Sequence, residues 1–348
     1  MRILVDVSHP AHVHLFRHAI GALQAAGHTV RVASREKDVT TDLLDAYGIE
    51  HTPLSRKSGG PGGTLAEWLG REVRLLRFAR RANPDVVLSR LNPASAHVSW
   101  LLGVPNVVFH DTEAAAALAR VTTPFAGVVC TPSTFGGAVT GEQIRYEGYQ
   151  ELAYLHPARF VRDPGVLRAH GIDPDEFYGF LRFVSPSAHH DDGGGLSVRA
   201  KRDLVESLSR RGSVYVVSEG ALPPDLKPYE PPIPPAAVHQ LLAHADVFAG
   251  DSGTMATEAA VLGVPAVRLD TMGGTLGNFR ELDERYGLVE SIRDERDVVG
   301  RVAALADDPD SGARWRRRRL DLLADKVDVT AFMVDLVESV SATPSRAN

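Results

Sequence analysis

The chain has 348 residues, of which 44% are hydrophobic and 24% charged, and its formal net charge is -6. That length suggests two domains with enough apolar material for two cores, and the acidic balance argues against a general nucleic-acid binder. The single cysteine, Cys130, excludes an intrachain disulfide or a thiolate metal cluster and reads as a small core residue.

The N-terminus, Met1 to Asp6, runs directly into a strand without the apolar stretch of a signal peptide. No apolar run is long enough to span a membrane, so the expected location is the cytoplasm. Short β-branched runs at Ile3–Val7, Val30–Ser34, Val86–Ser89, Asn106–His110 and Gly127–Thr131 read as strands. Between them, helical patterns run over Val13–Ala26, Val39–Tyr47, Leu65–Ala82, Ala94–Leu102 and Glu113–Arg120. Such alternation implies a parallel sheet with helices on both faces. The loop Ser58 to Gly63 reads as a flexible rim, and the proline-bearing stretch from Gly148 to Phe177 as an interdomain crossover.

The rhythm restarts with strands at Leu181–Ser185, Val214–Ser218, Asp246–Gly250 and Pro265–Leu269. Helices are expected at Ser197–Arg211, Val238–Ala243 and Thr254–Leu262. Leu222 to Pro235 is expected to be an extended surface connection, and the tail from Ala342 to be disordered. The α/β chain therefore reads as two doubly wound, Rossmann-like domains, at 1–160 and 165–326. A last amphipathic helix within 327–348 returns to the first. The run Arg314-Trp315-Arg316-Arg317-Arg318-Arg319 reads as a solvated helix face, with an anionic membrane or lipid-linked acceptor as its second use.

Four segments carry candidate chemistry. In the first, a buried strand ends at Ala249, and Gly250-Asp251-Ser252-Gly253-Thr254 opens an Ala-rich helix holding Glu258. The first turn of a helix has free N–H groups and the positive end of the dipole. Small residues let a diphosphate approach there, and the Ser252 and Thr254 hydroxyls add donors. A capped helix start with nothing bound is the bland alternative.

Ser8-His9-Pro10-Ala11-His12-Val13-His14 also opens a helix at a strand end. Its histidines suit a general base or phosphate contact, and neither a cysteine nor an adjacent carboxylate supports a metal site. Asp111 and Glu113, after the strand ending at His110, suit acceptor binding or deprotonation. The candidate catalytic residues are thus His9, His14, Asp111 and Glu113. In Ser187 to Gly195, glycines permit close approach to phosphate, and His190 offsets the charge of Asp191 and Asp192.

Ala249 to Pro265 resembles the glycosyltransferase-B superfamily, including the non-hydrolysing UDP-N-acetylglucosamine 2-epimerases. There a Ser-Gly turn and a Glu within an Ala-rich helix precede Leu-Gly-x-Pro. Over nearly the whole chain, the sequence resembles a family of predicted glycosyltransferases catalogued as a domain of unknown function. The matching residues are Asp6 to His14, His190-Asp191, Ser218-Glu219, His239 and Gly250 to Ala259. The resemblance implies two domains facing a central cleft, with the N-terminal domain for acceptor and catalysis. The C-terminal domain would bind a nucleoside diphosphate sugar, UDP-linked by analogy, through His190, Ser218, Glu219, His239, Asp251, Ser252, Gly253, Thr254 and Glu258.

The expected reaction is glycosyl transfer without metal or cofactor, to a lipid-linked or polysaccharide type of acceptor. The helix terminus would stabilise the leaving diphosphate. The epimerases carry His-x-Glu-Ala near His110 and a second acidic residue on the preceding loop. This chain has one more residue between His110 and Glu113, and Ser89-Arg90-Leu91-Asn92 on that loop, which weakens an epimerase reading. A non-catalytic nucleotide-sugar-binding protein is the alternative of another class.

Overall fold

The structure is a computed structural model that describes residues 1–56, 61–184 and 195–342. The chain divides into two compact units: Met1–Arg159 together with the segment from Val327 onward, and Phe160–Lys326.

In chain order the first unit contains β1 (Arg2–Val7), α1 (Pro10–Ala25), β2 (Thr29–Glu36), α2 (Thr40–Ala46), β3 (His51–Arg56), α3 (Pro61–Ala82), β4 (Val86–Arg90) and α4 (Pro93–Leu102). It continues with β5 (Asn106–Phe109), α5 (Ala116–Thr122), β6 (Val128–Pro132), β7 (Gln143–Tyr146) and α6 (Leu152–Leu155). The second unit contains α7 (Pro164–Arg168), β8 (Tyr178–Phe183), α8 (Val198–Ser209), β9 (Ser213–Ser218), α9 (Val238–His244), β10 (Val247–Gly250) and α10 (Gly253–Leu262). After these come β11 (Ala266–Leu269), α11 (Gly277–Arg280), β12 (Glu290–Ile292), α12 (Glu295–Asp307) and α13 (Ser311–Asp325). α14 (Val329–Ala342) then packs on α1 and α6 of the first unit.

The first sheet has the order β3-β2-β1-β4-β5-β6-β7 and the second β12-β11-β10-β8-β9, with every pairing parallel. Each order reverses once, between β1 and β4 and between β8 and β10. The carboxyl ends of the strands at such a reversal are where open α/β sheets hold ligands. The central strands are buried throughout, β5, β6, β10 and β11 along their whole length, as helices on both faces require. Cys130 lies in this core, and burial pushes its thiol up to about 12.

Helix starts follow local chemistry. His9 caps α1 and Asn92 caps α4, each followed by proline at the first helical position. Gly250 closes β10 where a Cβ would come within 2.0 Å of the Arg182 carbonyl oxygen, so only glycine fits.

Several expectations need correction. β3, β7 and β12 are strands that the apolar runs did not announce, and all three are sheet edges with half-exposed residues. α3 begins at Pro61, so Pro61 to Gly63 are helical; the rest of the expected loop, Ser58 to Gly60, lies outside the described residues. The Gly148 to Phe177 stretch is no bare crossover: it forms α6 and α7, and Tyr149 and Leu152 to Leu155 are fully or nearly buried. The Leu222 to Pro235 connection buries Leu222 and Leu226. Ser185 and the tail beyond Ala342 lie outside the described residues.

The arginine run on α13 is docked on its own unit. Trp315 is buried and its Nε1 donates to the Leu288 carbonyl at 2.9 Å; Arg318 and Arg319 donate to the carbonyls of Gly287 and Val261, both at 2.6 Å. Among the described residues no helix is long and apolar enough to cross a membrane.

Candidate active site

In the first unit, the ends of β1, β4 and β5 are neighbours, and their loops bring His9, His12, Arg90 and Asp111 together. Beneath them Asp6 is buried by three side chains. Arg71 from α3 and Ser95 from α4 donate to its carboxylate, and Asn92 Nδ2 donates to Oδ2 at 2.6 Å. This lock fixes α3 and α4 against β1. Arg90 donates to Asp111 Oδ1 and orients that carboxylate.

His9 Nδ1 accepts the Ala11 N–H at 3.2 Å, and His12 Nδ1 accepts the Ser8 N–H at 3.4 Å. Burial, with Lys37 and Arg90 nearby, lowers His9 to about 3, and burial takes His12 well below its usual value. A neutral imidazole whose Nδ1 is occupied as an acceptor carries its proton on Nε2. Both rings therefore offer an N–H donor. A general-base role for His9 would need the other tautomer, with Nε2 bare.

His14 does not join the group. It sits one turn into α1, buried between Tyr154 and Tyr47 at ring-centroid distances of 5.4 and 6.0 Å. Glu113 lies further along the edge, where Oε1 accepts the Gly136 N–H at 3.0 Å. His110 is buried against Phe135, and burial lowers it.

In the second unit, Ser252 caps α10 by accepting the Met255 N–H at 3.4 Å. The N–H groups of Gly253 and Thr254 have no partner among the described residues, and Thr254 is exposed. Asp251 was expected to touch ligand, but its carboxylate is committed to the backbone. Oδ1 accepts from Val184 at 2.7 Å and Oδ2 from Leu196 at 3.1 Å, and burial raises its pKa. It pins the two sides of the segment that contains His190, which lies outside the described residues.

Glu258 Oε1 and His239 Nε2 are 3.0 Å apart, and both side chains are buried. Ser218 Oγ accepts the Gly220 N–H at 3.3 Å and shapes its own turn, while Glu219 Oε1 accepts from Arg182 at 3.0 Å. Sequence reasoning missed the neighbouring β11 end. There Arg268 donates to Asp270 at 3.1 Å and lies 3.9 Å from the centroid of the Phe279 ring, which a Cβ on Gly253 would meet at 3.4 Å. Among the described residues no group of three or more His, Cys, Asp and Glu side chains is placed to hold a metal ion.

A family model described as "Protein of unknown function (DUF354)" matches residues 1–217, which is more than half of the chain. The chain belongs to the DUF354 family. The uncharacterised MJ0665 of Methanocaldococcus jannaschii is similar to this DUF354 chain, 23% identical over an alignment of 288 positions that covers 76% of this chain and 80% of that one. Among solved structures, the UDP-GlcNAc 2-epimerase of Neisseria meningitidis bound to UDP-GlcNAc superposes with a TM-score of 0.71 at 12% identity, covering 97% of this chain and 100% of that one. Spinosyn forosaminyltransferase SpnP gives 0.64 at 19%, covering 99% and 100%. Spinosyn rhamnosyltransferase SpnG complexed with thymidine diphosphate gives 0.62 at 16%, covering 97% and 100%. This DUF354 chain has the glycosyltransferase-B fold, built from two Rossmann-like parallel-sheet domains.

Proposed function

We propose that this DUF354 protein transfers a sugar from a nucleoside diphosphate sugar, UDP-linked in the first instance, to an acceptor hydroxyl. The observation that carries the reading is the start of α10. Two N–H groups without a partner among the described residues stand beside a strand that must end in glycine, at the reversal of a parallel sheet. That arrangement is suited to a diphosphate, and it stabilises the negative charge that grows on the leaving group without a metal ion. The nucleotides named in the SpnG and epimerase structures, thymidine diphosphate and UDP-GlcNAc, favour the same ligand class.

In the first unit, Asp111 is the group we assign to deprotonate the acceptor: Arg90 holds Oδ1, which leaves Oδ2 for the hydroxyl. His9 and His12 donate Nε2–H bonds that position acceptor or sugar oxygens. His14 and Asp251 have no part in the chemistry in this reading, and Ser218 and Glu219 shape the β9 end beside the nucleoside.

Titration calorimetry with nucleoside diphosphates and their sugars tests the proposal. The expected result is binding that is weakened in Gly253→Val, and no binding by any of them overturns it. Product analysis separates the alternatives. An altered sugar nucleotide formed without acceptor identifies an epimerase, and binding without nucleotide release under any acceptor identifies a non-catalytic binder.

A further inference from the structure

The first unit exposes several large apolar side chains on α3, α4 and α5. On α3 and α4, Leu69 is 60% exposed, Trp100 65% and Leu101 58%, with Trp68 and Val73 of α3 and Val121 of α5 nearly half exposed. Val73, Trp100 and Leu101 border a groove of about 290 Å³ between α3, α4 and the segment after α5, whose wall also holds Leu76, Val98, Phe125 and the Glu72–His97 pair. Along α3, Leu69, Val73 and Arg80 follow helical spacing on the exposed side, while Leu76 of the same row packs inward on the core.

The charge on this face is mostly positive, with Glu72 of the groove wall as the exception. Arg74, Arg77, Arg80, Arg81 and Arg120 are exposed and have no carboxylate partner among the described residues. Elsewhere exposed arginines such as Arg202 and Arg301 are paired with Asp225 and Glu290. Both carboxylates of α3 are engaged, Glu67 by Arg35 and Glu72 by His97. A protein of net charge -6 has thus gathered uncompensated positive charge around exposed tryptophan and leucine.

We propose that this α3–α4 face docks on the surface of an anionic lipid bilayer. A helix with Trp and Leu on one side and arginines flanking them lies in the headgroup region, where the rings enter the acyl boundary and the guanidinium groups meet lipid phosphates. A second copy of the chain suits the face poorly, because a self-complementary contact would set the arginine rows against each other. The inference does not depend on the proposed glycosyl transfer, and its test reads lipid binding alone.

Flotation of the purified full-length protein is compared between vesicles of phosphatidylcholine and vesicles of phosphatidylcholine mixed equally with phosphatidylglycerol. Binding to the mixed vesicles only, weakened by salt, is expected. Arg77→Gln with Arg80→Gln lowers the partition by about 25-fold, or about fivefold per charge removed. Arg317→Gln on α13 leaves it unchanged. Trp100→Phe preserves both fold and binding but reduces quenching of tryptophan emission by brominated lipids.

Equal flotation on both vesicle types, no flotation, or a partition that follows Arg317 overturns the proposal. So does unchanged quenching in Trp100→Phe, or a dimer in size-exclusion chromatography that Trp100→Ser dissolves.

Discussion

At the end of β1 a buried aspartate is held by side chains, and at the end of β10 a half-buried one is held by backbone. Asp6 is held by Arg71, Asn92 and Ser95, whereas Asp251 is held by the N–H groups of Val184 and Leu196. The helix caps that follow differ in the same sense. His9 and His12 fill the space above β1 with rings, while small residues, Ser252, Gly253 and Thr254, open α10, with the Phe279 ring beside Gly253. One strand end is finished with side-chain donors and the other with main-chain donors. A fixed backbone site suits a ligand part common to many substrates, such as a diphosphate, while side chains can be tuned to a particular acceptor.

The largest effect expected is at Asp6. Asp6→Ala strands the buried Arg71 charge and should cost about 3–5 kcal/mol of stability in denaturant melts. Asp251→Ala removes acceptors from two neutral N–H groups and should cost less, about 1–3 kcal/mol. A reversed ranking would break the distinction between the two ends.

Next, Gly253→Val obstructs the main-chain site. It should weaken nucleoside diphosphate binding by about 10–100-fold, the worth of one hydrogen bond to a charged group, with little change in the thermal midpoint. His9→Asn, at the other end, should leave that affinity intact in the same calorimeter.

A smaller effect concerns pH. His9 titrates at about 3 in the folded chain against 6.5 when free, so the folded state binds fewer protons between those values. The stability this contributes is full above pH 6.5 and is lost as pH falls toward 3. By pH 5 the loss is about 2 kcal/mol. His9→Asn, which keeps a capping side chain, should flatten that part of a stability-versus-pH curve. A curve identical to that of the parent protein would remove His9 as a buried neutral ring. The smallest expected effect is none: chelator should leave turnover unchanged, and rescue by magnesium would transfer the electrostatic work from α10 to a metal.

The doubly wound plan was legible because buried parallel strands must be apolar at nearly every position, as Val86-Val87-Leu88 and Val128-Val129-Cys130 are. β3, with Pro53 and its polar neighbours, was not, since an edge strand needs only part of its length buried. At the site, Ser252, Gly253 and Thr254 could be read because capping and small size are local properties. The commitment of Asp251 to Val184 and Leu196, and of Asp6 to Arg71, could not be read from spacing, since the partners are 55 to 67 residues away. The state of His9 depended on a backbone N–H two residues on and on burial by other elements. Composition reports neither. The α3 arginines were visible in the sequence, but the exposed tryptophan and leucine of α4 beside them became apparent only once the two helices were packed.

The chain leaves the first unit at Arg159 and re-enters it at Val327, so that unit is discontinuous. Phe332 of α14 completes its core against Tyr146 and Phe109, at ring-centroid distances of 5.1 and 6.4 Å. Thr330 donates to the Ala153 carbonyl at 2.6 Å, and Arg159 pairs with Asp328. During synthesis the seven strands of the first sheet emerge early but wait for α14, while every element of the second unit is made before α14 is. The second unit can thus close first although it begins later, and a nascent chain halted before Val327 presents the Phe109–Tyr146 surface unsealed to chaperones.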